Sequence, residues 1–157
     1  MSKVRCGTLT IAALALLASG AGCTMTMSDV TPEARSAIEA RFPEATVQKV
    51  EGKLGNLYEI TLQQGEAVAD VKLHQDGTII EVETVIDASD LPKLVADTVA
   101  QRAQGHDLIK VEKVEQLAKQ TLGGVEKLDE PELYYEVKWI AGGFKRELEV
   151  NADGSVR

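Results

Sequence analysis

The stretches Leu57-Tyr58-Glu59-Ile60 and Val71-Lys72-Leu73-His74-Gln75-Asp76-Gly77-Thr78-Ile79 each occur twice in variant form. The first returns as Tyr134-Tyr135-Glu136-Val137, the second as Leu148-Glu149-Val150-Asn151-Ala152-Asp153-Gly154-Ser155-Val156. Both returns lie 77 positions downstream, from 57 to 134 and from 71 to 148, and Gly65 maps onto Gly142 with the same shift. A constant offset over such a stretch predicts one supersecondary unit used twice. Neither stretch carries an arrangement that resembles an active site.

Outward from these stretches, the first unit opens at Thr31-Pro32-Glu33. Thr31 suits a helix cap, Pro32 the first helical position and Glu33 the positive helix end. Ala34, Ile38 and Phe42 recur every fourth residue and so share a face. Pro43 ends the helix. Strands are predicted near Thr46–Gly52, Asn56–Gln63, Glu66–His74 and Thr78–Ile86, with Asp76-Gly77 as a hairpin signal. The second unit starts a helix at Asp90-Leu91-Pro92, stopping near Gly105. Its strands are Ile109–Glu115, Leu133–Ala141, Gly143–Asn151 and a short last one from Ser155. The first strand fits an offset of 64 rather than 77, so 13 extra residues fall between Gln116 and Glu132, read as a long loop.

This pattern predicts an α+β fold: a tandem repeat of one helix packed on a four-stranded antiparallel sheet. The units span 31–87 and 88–157. Alternation places Tyr58, Ile60 and Leu62 in the core, and with them Tyr135, Val137 and the single tryptophan, Trp139. Tyr134, Glu136 and Lys138 take the opposite face.

The order of these signals resembles the PepSY-like, or β-lactamase-inhibitor-like, family. The resemblance rests on Thr31-Pro32 and Leu91-Pro92 at the helix starts, on Val47 to Val50 and Val111 to Val114, on Tyr58-Glu59-Ile60 and Tyr135-Glu136-Val137, and on Asp76-Gly77 and Asp153-Gly154. It covers about residues 31–157. It implies small exported modules and lipoproteins, some associated with inhibition of secreted enzymes. It implies no particular functional residues.

Residues 1–22 read as an export signal: Lys3 and Arg5, a short apolar run from Leu9 to Leu17, then small residues up to Gly22. The run is too short to span a bilayer. Cys23 follows, as in the lipobox of bacterial lipoproteins, where the first mature thiol is acylated. Gly20 occupies the position where that pattern has leucine. The alternative is cleavage after Ala21 or Cys23 and a soluble periplasmic protein. Cys6 leaves with the signal, so Cys23 has no disulfide partner, and acylation would protect an otherwise free exported thiol. Residues 23–30 read as a tether to a membrane.

The chain has 17 basic and 25 acidic residues; without Lys3 and Arg5 its charge is −10. That argues against nucleic acid and against direct adsorption to anionic lipid. His74 and His106 are read as solvated loop residues, and Asp76 and Asp153 as turn formers, so no metal site and no cofactor are expected. Glu81 and Glu83 are read as the wet face of a strand. No nucleophile elbow and no phosphate loop occurs, so no catalytic residues are assigned and no enzyme is expected.

The remaining function is binding to an envelope or secreted protein, with inhibition of a peptidase or hydrolase as one form of it. A structural envelope lipoprotein is the alternative. The candidate contacts are Tyr134 and Lys138, with the loop residues Leu122, Val125 and Leu128, because the loop is the main asymmetry between the two units.

Overall fold

The computed structural model describes residues 25–157; residues 1–24, with the export signal and Cys23, lie outside the described residues. The chain forms α1 (Pro32–Arg41), β1 (Thr46–Lys53), β2 (Leu57–Gln64), β3 (Ala67–His74) and β4 (Ile79–Val85). It continues through α2 (Lys93–Ala103), β5 (Leu108–Thr121), β6 (Gly124–Ala141) and β7 (Phe144–Asn151).

The expected pair of one-helix, four-stranded units is overturned. All strands belong to one antiparallel sheet in sequence order, β1 through β7. Glu81–Val85 of β4 pair with Glu112–Gln116 of β5, so the sheet continues across the predicted boundary. The physical reason is the strand edge. Two separate sheets would each leave a row of unpaired backbone groups there, and joining them removes both. After α2 only three strands follow; the predicted last strand is a single bridge between Val150 and Val156. The fold is predominantly β.

Both helices lie on one face of the sheet. Ala34 and Ile38 of α1 pack with Val50, Ile60, Leu62, Val71, Leu73 and Val82. Val95 and Val99 of α2 pack with Val111, Tyr135, Val137 and Val150. Trp139 is 7% exposed and pairs with Leu108 across β5 and β6. Thr31 caps α1 by accepting a hydrogen bond from the Ala34 amide.

Two turns hold the helices at a fixed height. Gly77 and Gly154 both have φ of +87°, a region that disfavours side chains. A Cβ at Gly77 would sit 2.8 Å from the Glu33 carbonyl oxygen, and one at Gly154 2.9 Å from that of Leu94. The turn backbones are thus pressed against the helices.

Residues 25–30, read as tether, are docked on the fold. Met25 bridges to Val50, Met27–Asp29 form a short 3-10 turn, Met27 packs on the first core and Val30 is buried. The expected long loop over 116–132 is also a correction, because it is β structure. Pairing runs from Gln116↔Glu132 through a bulge to Ala118↔Lys127 and Thr121↔Gly124. The extra residues lengthen a hairpin, with Leu128–Pro131 looped out opposite Leu117.

Candidate functional site: the charged face of the sheet

Among the described residues, no helix covers the other face of the sheet. Strand alternation puts Thr61, Asp70, Lys72, Glu81, Glu83, Lys110, Glu112, Tyr134, Glu136, Lys138, Glu147 and Glu149 there, and all of these but Thr61 and Glu112 line an open recess of about 600 Å³. Its lining includes seven carboxyl groups and five cations. A sheet that is apolar on one face and polar on the other is ordinary. What sets this face apart is that its charges are buried and shared between strands.

Glu112 of β5 is 0% exposed. Lys138 of β6 donates to its Oε2 at 2.8 Å, and Lys110 lies 2.7 Å from its Oε1. Lys110 also donates to Asp70 of β3 at 2.9 Å, reaching across β4. Asp70 in turn accepts from Thr61 of β2 at 2.6 Å. Lys138 also contacts Glu136, and Lys72 donates to Glu81 at 2.8 Å. Oε1 of Glu112 and of Glu136 each touch an ammonium but accept no well-aligned hydrogen bond.

The electrostatics follow from this geometry. Burial pushes Glu83 up, and the neighbouring Glu112, Glu136 and Glu81 push it further, to about 8. Burial also raises Glu136, partly opposed by Lys138. Burial works to raise Asp70, but the hydrogen bonds from Thr61 and Lys110 outweigh it and hold this carboxyl below its usual range. Burial works to lower Lys110 and Lys138, and their carboxylate partners outweigh it, so both are raised. Glu83 is therefore shifted toward its protonated form at neutral pH. Asp70, Glu83 and Glu112 bring carboxylate oxygens within 4.8 Å of one another, as do Glu136, Glu147 and Glu149. The balancing positive charge comes from Lys110 and Lys138.

The sequence-predicted contacts separate into two places. Tyr134 and Lys138 lie together on this face. Tyr134 is 5% exposed, and Arg157 stacks over its ring at 4.1 Å from the centroid. Burial, then Glu81 and Glu149, raise the Tyr134 phenol above its usual value. Tyr134 is thus a floor residue, not a protruding contact. Leu122, Val125 and Leu128 lie on the β5–β6 hairpin. Val125 packs on Leu57, Ile80 and Ala118, Leu128 is half-buried, and Leu122 is fully exposed at the tip. Val125 is therefore covered by β2, β4 and β5 of its own sheet, and of the three residues Leu122 alone is fully exposed.

Sequence reasoning missed Asp70, Glu83, Lys110 and Glu112 as a cluster. Each falls on the polar side of its strand's alternation, but their meeting depends on β4 pairing with β5. The reading of Glu81 and Glu83 as a wet face was right about the face and wrong about the water: Glu81 is buried and Glu83 half-buried.

The fold, a seven-stranded antiparallel sheet with two helices on one face, is similar to that of solved structures. A DUF2874 family protein from Bacteroides ovatus ATCC 8483 matches with a TM-score of 0.62 at 15% identity, covering 82% of this chain and 85% of that one. A BLIP-like protein from Bacteroides fragilis NCTC 9343 matches with a TM-score of 0.59 at 17% identity, covering 82% and 83%. A candidate periplasmic protein from Bacteroides eggerthii DSM 20697 matches with 0.62 at 12% identity, covering 81% and 85%. The chain thus has a BLIP-like fold. No protein-family model matches it, and no curated protein matches it in sequence.

Proposed function

We propose that this protein is an exported, non-catalytic binding module, held at a membrane through acylated Cys23, that docks an envelope or secreted peptidase or hydrolase on the charged face of its sheet. The carrying observation is the cross-strand ion-pair network of Asp70, Lys110 and Lys138 around the buried Glu112, on a face that no helix among the described residues covers. Asp70, Glu112 and Glu136 are each engaged by lysine, which suits a rigid recognition surface. The BLIP-like neighbour supports the inhibitor-like form of the reading, and the PepSY-like sequence pattern supports export.

Recovery of bound proteins from envelope extract tests it, with the wild type compared against Glu147→Lys combined with Glu149→Lys on the outer strand. A stoichiometric hydrolase, lost with the reversed charges, supports the proposal. The same hydrolase held equally by both proteins moves the site off this face. Recovery of wall or outer-membrane components alone favours a structural role.

A further inference from the structure

Two leucines stand fully in solvent at the same end of the sheet. Leu54, in the β1–β2 turn, is 95% exposed, and Leu122, at the β5–β6 hairpin tip, is 111% exposed. The two turns meet: a Cβ at Gly55 would lie 2.7 Å from the Gln120 side-chain amide. The hairpin also projects, since β5 pairs with β4 only as far as Gln116 but with β6 as far as Thr121. Nearby lysines do not make this end a basic patch. Lys53 is paired with Glu51 and Glu59, and Lys119 with Glu132. The end carries two fully exposed leucines among exposed polar residues of both signs, Glu126 and Lys127 on the hairpin included.

The described chain begins at this same end. Met25 bridges to Val50, and its sulfur would lie 2.8 Å from a Cβ at Gly52, one residue before Lys53 and two before Leu54. Cys23 is two residues before Met25, and two residues span at most about 7 Å. A chain fixed to a membrane at Cys23 therefore cannot hold this end far from it.

We infer that the Leu54 and Leu122 tips form a membrane-facing end, and that both leucines enter the lipid interface when the chain is attached at residue 23. This rests on the anchoring proposed above. Attachment makes the contact local, so two leucines suffice where unattached protein would adsorb only weakly. The consequence is a fixed pose: the strands stand toward the bilayer and the charged face opens sideways, clear of the lipid.

The test uses polarity-sensitive fluorophores on single cysteines at Leu54→Cys, Leu122→Cys and, at the far end, Phe144→Cys. Position 23 of the mature chain is replaced by an oligohistidine tag and bound to phosphatidylcholine vesicles carrying a metal-chelating lipid. Attachment then does not depend on natural acylation, which mass measurement of the native mature protein tests separately. The inference expects a blue shift and quenching by chain-labelled lipid at positions 54 and 122, and neither at 144. Equal signals at all three positions, or none at 54 and 122, overturn it. A dimer in lipid-free solution that Leu122→Ser dissolves also overturns it, because the occupant of the tips would then be a second copy.

Discussion

Replacing Glu83 by glutamine tests the electrostatics of the charged face directly. Glu83 is raised from 4.5 to about 8, first by burial and then by Glu112, Glu136 and Glu81. A carboxyl raised on folding makes the native state bind more protons than the unfolded chain between those two values. Stability must then fall as pH rises from about 4.5 to about 8, and level off above. One proton of difference is worth about 1.4 kcal/mol per pH unit, so the unscreened span would approach ~5 kcal/mol. Glu83 is only half-buried, and solvent screening reduces that to about 2 kcal/mol. Glutamine has the shape of the protonated acid and does not titrate, so the variant loses this slope.

The assay is urea unfolding followed by Trp139 fluorescence at about pH 5.5 and about pH 8.5, for both proteins. That window lies above the range where lowered groups such as Asp70, Asp76 and Glu132 lose their contribution on acidification. It lies below the range where the raised lysines lose theirs. Glu136 is also raised and gives a slope of the same sign in both proteins, so the test is the difference between the two slopes. With a urea dependence of about 2 kcal/mol per molar, the part of that span lying between the two pH values should lower the wild-type midpoint by about 0.7 M, and that of Glu83→Gln by much less. A wild-type midpoint independent of pH, or an equal slope in the variant, would refute the placement of Glu83 among buried carboxyls.

Three further outcomes follow from the packing. Trp139→Ala should destabilise the fold by about 3–5 kcal/mol, read by urea or thermal melting; wild-type-like melting would show that the β6 register is wrong. Gly154→Ala adds a Cβ at φ +87° and 2.9 Å from the Leu94 carbonyl, and should lose about 2 kcal/mol or more, visible as a lower melting temperature. Lys138→Met leaves Glu112 fully buried with one cation fewer, and should lose about 3–5 kcal/mol at neutral pH, read by urea or thermal melting.

Local structure was legible in the sequence because it depends on local chemistry. The Thr31-Pro32 start, the Asp76-Gly77 and Asp153-Gly154 turns, and the core side of Ile60, Leu62, Tyr135 and Val137 are set by dihedral preference and alternation. What was not legible is which strand edge meets which. Nothing in Glu81–Val85 says that its partner is Glu112–Gln116, since backbone groups pair without regard to side-chain identity. The seven-stranded sheet and the Asp70–Lys110–Glu112 cluster both depend on that pairing, and both escaped the sequence reading. The hairpin escaped for a related reason. Thr121-Leu122-Gly123-Gly124 carries a turn signal, but the looped-out Leu128–Pro131 breaks the alternation that would have marked the flanks as strands.

The same pairing shapes what the face can do. Lys110 ties β5 to β3 across β4, and Lys138 ties β6 to β5. Ammonium groups held by two carboxylates have little freedom left to lose, so a partner would meet a surface already ordered. Stripping water from that surface is costly unless the partner offers complementary charge at matching positions. Such a face favours selectivity over raw affinity. The Leu54 and Leu122 tips differ, because aliphatic contact with lipid, as proposed, would need no such matching.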